Sequence, residues 1–252
     1  MPFNPAENGN GSTIAFTLSN SNKTATQSSG SDHSMIVLGT TSHTTGAYYL
    51  EMTVTALGSL GYLWGLGIGP TSMNLTAIYS DTANTPPNAC LMTADTTGQI
   101  ACPAGGGGAV PVTIHAGDVI AMCVDIDNGR LWCNDLTQST GWSNFTAGNF
   151  SGNPTAGTGG ALMGLTGGLV LYPAFYAYQQ PTAGTINTGT SAFTASPPSG
   201  FVSWDVTNVT TLPVWLYFGQ SLALAGGAKL LSDLARNPTR SRRRMFTAGD
   251  EE

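Results

Sequence analysis

Charge is what this sequence has least of. Asp, Glu, Lys and Arg make up 9% of its 252 residues, against roughly 25% in an average soluble protein. Of the 8 Lys and Arg, only Lys23 and Arg130 precede residue 211, while Lys229, Arg236, Arg240, Arg242, Arg243 and Arg244 follow it. A body this poor in cations lacks the spread basic surface that binds a phosphate backbone, so nucleic acid is not an expected partner. The cluster Arg240, Arg242, Arg243 and Arg244 reads either as a solvated terminal run or as an anchor onto an acidic neighbour.

The chemistry-bearing residues are equally sparse. The 3 histidines, His33, His43 and His115, are isolated, with no HExxH pattern, so no metal site is expected. There is no GxSxG elbow and no Cys near a His in sequence, and Gly105–Gly108 is not followed by Lys-Ser/Thr as a phosphate loop requires. Glu51, Asp118, Asp125 and Asp127 are the acids a fold could pair for glycoside hydrolysis. Asp125 and Asp127, however, sit at a hairpin end, where acids solvate the turn. No catalytic residues and no cofactor are expected.

No stretch reads as a membrane span: Gly159–Tyr178 is uncharged but rich in Gly, and Leu212–Ala228 is short and carries Gln220. The opening MPFNPAENGNGSTIAF has no basic start and no apolar run, so a cleaved leader is not expected. The 4 cysteines do not have zinc-knuckle spacing. Cys90 and Cys102 flank a hairpin and can lie opposite each other, with oxidation set by compartment.

What is present is β-strand pattern. Gly117–Asp135 reads as two strands joined at Asn128-Gly129, a pair suited to a two-residue type I′ turn. That register pairs Asp127 with Arg130 and Val124 with Cys133. It puts Ile120, Met122, Val124, Ile126, Leu131 and Cys133 on one apolar face, opposite Ala121, Cys123, Asp125, Asp127, Arg130 and Trp132. Cys123 and Cys133 then point to opposite faces and should not bond.

These residues also carry a resemblance. Gly117-Asp118-Val119-Ile120 followed by Val124-Asp125-Ile126-Asp127-Asn128-Gly129-Arg130-Leu131-Trp132 resembles the GDVIG…DLDNG.L.F signature of SPRY (B30.2-like) domains. Phe16–Thr26, Gly46–Val54, Leu171-Tyr172-Pro173-Ala174 and Ala192–Trp204 resemble further family segments in the same order. The resemblance implies an all-β, antiparallel, concanavalin-like β-sandwich and non-catalytic recognition of a protein or peptide through loops at one edge. It supplies no binding residues, because the loops are not those of the well-known family members.

Taken in order, residues 1–11 read as a flexible arm and 12–206 as the sandwich. Strands are expected at residues 14–18, Met35–Gly39, Tyr48–Ala56, Tyr62–Gly69, Leu169–Tyr178 and Phe193–Trp204, with a second hairpin over Cys90–Cys102. In Tyr48–Ala56, Tyr48, Leu50, Met52 and Val54 make the better core face. Pro70–Asn88 is a long irregular segment with Tyr79, and Thr137–Gly160 is a loop with Trp142, Phe145 and Phe150 among small polar residues. Tyr79, Trp142, Phe145 and Phe150 are the candidate ligand-binding residues, as rings in such loops give contact area at low entropic cost. The alternative is that they fold onto the sandwich. Residues 207–252 form a C-terminal docking segment, a strand plus an amphipathic helix with a basic tail.

Low charge with abundant Gly, Ser, Thr and Asn suits a protein packed against neighbours, as in virions. A bacteriophage decoration or tail-associated component is therefore expected, assembled in the host cytoplasm, homo-oligomeric or part of a larger assembly, and contacting other virion proteins through its C-terminal segment. A lectin-like module binding a cell-surface glycan and an intracellular adaptor are the competing readings.

Overall fold

The computed structural model describes residues 1–9, 15–27, 35–58, 62–71, 90–95, 99–101, 110–164, 168–177 and 181–206. Tyr79, Cys102, the C-terminal strand-plus-helix and Arg240, Arg242, Arg243 and Arg244 lie outside these residues.

One sheet contains β1 (Phe3–Gly9), β4 (Met35–Gly39), β6 (Tyr62–Gly69), β7 (Cys90–Asp95), β8 (Gln99–Ala101), β9 (Val110–Pro111) and β15 (Tyr172–Ala177), in the order β1-β4-β15-β6-β7-β8-β9. The other contains β2 (Thr17–Ser19), β3 (Thr24–Gln27), β5 (Ala47–Ala56), β10 (Val119–Asp125), β11 (Arg130–Asp135), β14 (Ala161–Leu162) and β16 (Thr182–Asn187), in the order β14-β11-β10-β5-β16-β3-β2. Here β17 (Val202–Ser203) lies parallel beside the first half of β5. A small hairpin, β12 (Trp142–Asn144) with β13 (Asn149–Gly152), completes the set.

Every pairing except that of β17 is antiparallel, and the two layers enclose one main core. The alternation of β5 holds: Tyr48, Leu50, Met52 and Val54 are fully buried in that core. They meet Ile120, Met122, Val124, Leu131 and Cys133 from the neighbouring strands, and Trp64, Leu66, Ile68 and Phe175 from the other sheet. This is the SPRY-like, concanavalin-type sandwich that the resemblance implied.

Three expectations are corrected. The β10–β11 connection is a four-residue loop, 126–129, and the register pairs Asp125 with Arg130 and Val124 with Leu131. Asp125 explains the difference: its Oδ1 accepts the Asn128 backbone N–H at 3.0 Å and its Oδ2 the Asn128 side-chain amide at 2.7 Å. Only Gly129 takes positive φ, at 61°, where type I′ needs two such residues. The displacement is an even number of residues, so the two faces keep their membership.

Residues 3–9 are a strand, not an arm. β4 is buried along its whole length and needs a neighbour on each side; β15 supplies one and β1 the other. Phe3 is fully buried, its ring centroid 6.3 Å from that of Phe175. Pro5, which has no N–H to give a ladder, falls within the irregularity between Phe3 and Asn8. The Met1 amine is ion-paired with Asp205.

The segment 188–206 is an irregular strap with only β17 as strand. It crosses the outer face of the β5 sheet, where Tyr49, Ala121, Cys123, Trp132 and Phe201 form a second buried cluster. Cys123 and Cys133 therefore lie in different clusters, on opposite faces. β16 was not anticipated, because its small residues carry little strand signal. At Gly184 a Cβ would stand 2.8 Å from Met52 Sδ in its own sheet and 3.0 Å from Phe175 Cε2 in the facing one, so the glycine gives the Phe175 ring room between the sheets.

The outer edge of β11 is closed by side chains. Beyond its short pairing with β14, Ser143 Oγ accepts the Cys133 N–H at 2.9 Å and Thr140 Oγ1 the Asp135 N–H at 3.1 Å.

Candidate functional site

The strand register gathers several connections at one end of the sandwich. They are the β4–β5 connection, the β10–β11 loop, and the chain leaving β14 and entering β15, which bridges back at His43↔Leu171. Three of the large exposed apolar side chains belong to this end: Leu162 at 52%, Val170 at 45% and Val202 at 42% exposure. Leu162 pairs with Arg130, which pairs with Asp125, which pairs with Ala47, so these four lie in one row across the sheet.

Arg130 is held in place by a hydrogen bond from Nη1 to Gly160 O at 3.3 Å. Beside it, the loop carrying exposed Asp127 and Asn128 is fixed by the Asp125 carboxylate. The result is a fixed surface with one apolar side chain, one guanidinium and one free acid. Such a set offers apolar, cationic and anionic contacts side by side.

The loop rings expected to bind ligand turn inward. Phe145 is 1% exposed and belongs to the main core. Phe150 is partly buried against that core, and Trp142 is partly buried against the outer cluster, its ring edge-on to Tyr49 at 6.4 Å. The cause is the β12–β13 hairpin, which folds along β11 through Ser143 and is held by a hydrogen bond from the Phe145 N–H to Gly159 O at 2.9 Å.

The acids are also separated. Asp125 and Asp127 stand at this end and Asp118 at the other end of β10. Glu51 is buried on the outer face. Its carboxylate accepts the Tyr49 hydroxyl at 2.7 Å and the N–H groups of Thr194 at 2.9 Å and Ala195 at 3.0 Å. Burial, reinforced by this carboxylate, pushes the Tyr49 hydroxyl far above its ordinary pKa. Burial likewise pushes the Cys123 thiol up, which keeps it protonated and inert.

His43 is not a solvated loop histidine. Its ring stacks on Tyr48 at 3.8 Å and its Nε2 lies 2.7 Å from Trp204 O, pinning the β4–β5 connection to the strap. Burial lowers its pKa, against the raising influence of the Trp204 carbonyl and Asp205. Among the described residues there is no group of three His, Cys, Asp or Glu able to hold a metal. No helix among them is long and apolar enough to cross a membrane.

Sequence reasoning missed Leu162, Val170, Val202 and Arg130 as a surface. Isolated aliphatic residues at strand ends look like core, and only the register shows which of them face outward.

Neither a family model nor a characterised protein matches this sequence. Among solved structures the chain is similar to the SPRY domain of human HERC1, at 14% identity over 75% of this chain and 99% of that one, with a TM-score of 0.47. It is also similar to the TRIM65 PSpry domain, at 13% identity over 74% of this chain and 88% of that one, with a TM-score of 0.52. The likeness to the latter shows the SPRY-like fold.

Proposed function

We propose that this protein is a non-catalytic recognition module that holds a protein partner at the β10–β11 end of its sandwich. The observation that carries the reading is the placing of exposed Leu162, Val170 and Val202 on segments brought to that end, with Leu162 paired to the held Arg130. The SPRY-like fold supports it by analogy alone. With Phe145 buried and Phe150 and Trp142 partly so, a glycan would lack a ring platform on these residues, which weighs against the lectin-like reading.

The protein's context is a virion, in this proposal a bacteriophage decoration or tail-associated component whose C-terminal segment docks on the particle. The low charge and the gathering of Arg240, Arg242, Arg243 and Arg244 in that segment support this. Mass spectrometry of purified particles should find the protein, and deletion of residues 211–252 should prevent its incorporation; absence from particles overturns the virion context.

Recognition is tested separately. A photo-crosslinking residue in place of Leu162 should capture one defined polypeptide. Leu162→Asp should abolish binding to that polypeptide while changing stability by no more than about 0.5 kcal/mol. Undiminished binding by Leu162→Asp removes this end of the sandwich from recognition.

A further inference from the structure

We infer that Asp118 and Asp135 share one proton, and that this proton latches the end of the sandwich opposite the β10–β11 loop. Asp118 immediately precedes β10 and Asp135 closes β11, and the register Ile120↔Asp135 brings the two to the same end. Both are withdrawn from water, at 4% and 0% exposure. A single amide nitrogen, Gln138 Nε2, lies 2.8 Å from Oδ2 of each carboxyl group. Both carboxyl groups therefore crowd one neutral donor. Two buried carboxylates this close disfavour each other's charge, and one proton held between them removes that penalty.

The remaining contacts are backbone donors and one exposed imidazole, a cation only when protonated. Asp118 Oδ2 accepts the His115 backbone N–H at 2.7 Å, and Asp135 Oδ1 accepts the Gln138 N–H at 3.0 Å. His115, with its side chain 64% exposed, faces the pair from the preceding segment, its Nδ1 3.4 Å from Asp118 Oδ2. Lys23, Arg130 and the Met1 amine, the fixed cations among the described residues, stand elsewhere, in the turn before β3, at the far end of β11 and beside Asp205. Burial raises the pKa of Asp135; the Gln138 N–H opposes this, and the charge and side chain of Asp118 add to it.

The cluster ties several segments together. Gln138 Nε2 also reaches Thr113 O, so the 136–139 turn is bound to the segment before β10. That segment is stitched to β5 by Gly117 N–H to Val54 O at 2.7 Å and by Val54 N–H to Asp118 O at 2.8 Å. A carboxyl group whose pKa is raised by folding contributes stability that is complete below its unfolded pKa and lost as pH rises through its folded one. This end is therefore tightest in mild acid. It loosens when the proton leaves and two like charges remain buried together.

Thermal unfolding of the full chain between pH 4 and pH 8 tests the latch, comparing the unsubstituted protein with Asp135→Asn, whose amide can donate to Asp118 without a titrating proton. The melting temperature of the unsubstituted protein should fall relative to that of Asp135→Asn as pH rises. The expected fall is about 3 °C for each unit by which the Asp135 pKa is raised. Parallel pH profiles overturn the inference. If Asp135→Asn does not fold, carboxyl NMR titration of the unsubstituted protein decides: the Asp135 midpoint should lie above the ordinary aspartate value of about 3.9, and a midpoint at or below it overturns the shared proton.

Discussion

The inner and outer faces of β5, β10 and β11 are both buried, but they are closed by different means. The inner face meets a second sheet, and its contacts are apolar side chains distributed over many strands. The outer face meets an irregular strap and the loop before β14, and this cover is held by a few anchors: Glu51 gripping the Thr194 and Ala195 N–H groups, Trp132 Nε1 donating to Thr158 O at 2.7 Å, and Phe193 and Phe201 set edge-on to Tyr49 and Trp132. An inner-face residue is one of many equivalent contributors to global stability. An outer-face anchor is one of few, and its loss frees a segment and leaves the sandwich standing.

This contrast can be broken most directly at Phe175, whose ring meets Phe3, Phe16 and Trp64 between the sheets. Phe175→Ala should lower global stability by about 3–5 kcal/mol, measured by denaturant unfolding with a single transition. A purely local effect would show that the inner face is not the cooperative unit.

Glu51→Ala should cost less, about 1–3 kcal/mol. Its signature should be faster hydrogen exchange at Thr194 and Ala195, with the inner strands unchanged. Uniform loss of protection would mean that the strap and the sandwich unfold as one. The smallest effect concerns neither face. Gly129→Ala introduces a Cβ into open space at φ 61°, so only backbone strain acts, and equilibrium unfolding should show a loss of about 1 kcal/mol.

The same contrast explains what could be read in the sequence. The inner face of β5 was legible because Tyr48, Leu50, Met52 and Val54 alternate with more polar residues along a strand. The β10–β11 faces survived a wrong register because the error was even. The outer cover was not legible: Phe193 and Phe201 lie among Pro, Ser and Gly with no periodicity, and Glu51 reads as one pairable acid among four until its two amide donors are seen. The arm was misjudged because Phe3 stands alone among polar residues, and only the need of β4 for a second neighbour reveals the strand. Of the candidate site, the β10–β11 loop was legible from its turn residues. Of the loop rings, Phe145 is taken into the core and Trp142 and Phe150 are partly buried, because β12–β13 turns them toward the protein.

The hydroxyls of Ser143 and Thr140 have a consequence for how molecules of this kind crowd together. By occupying the outward amides of β11, they leave a foreign chain no ladder to extend on that border. A protein so short of repelling charges is exposed to fibre growth when concentrated. Here that route is shut by two short side chains, so neighbours can be met there only by fitted surfaces and not by stitching backbones into a common sheet.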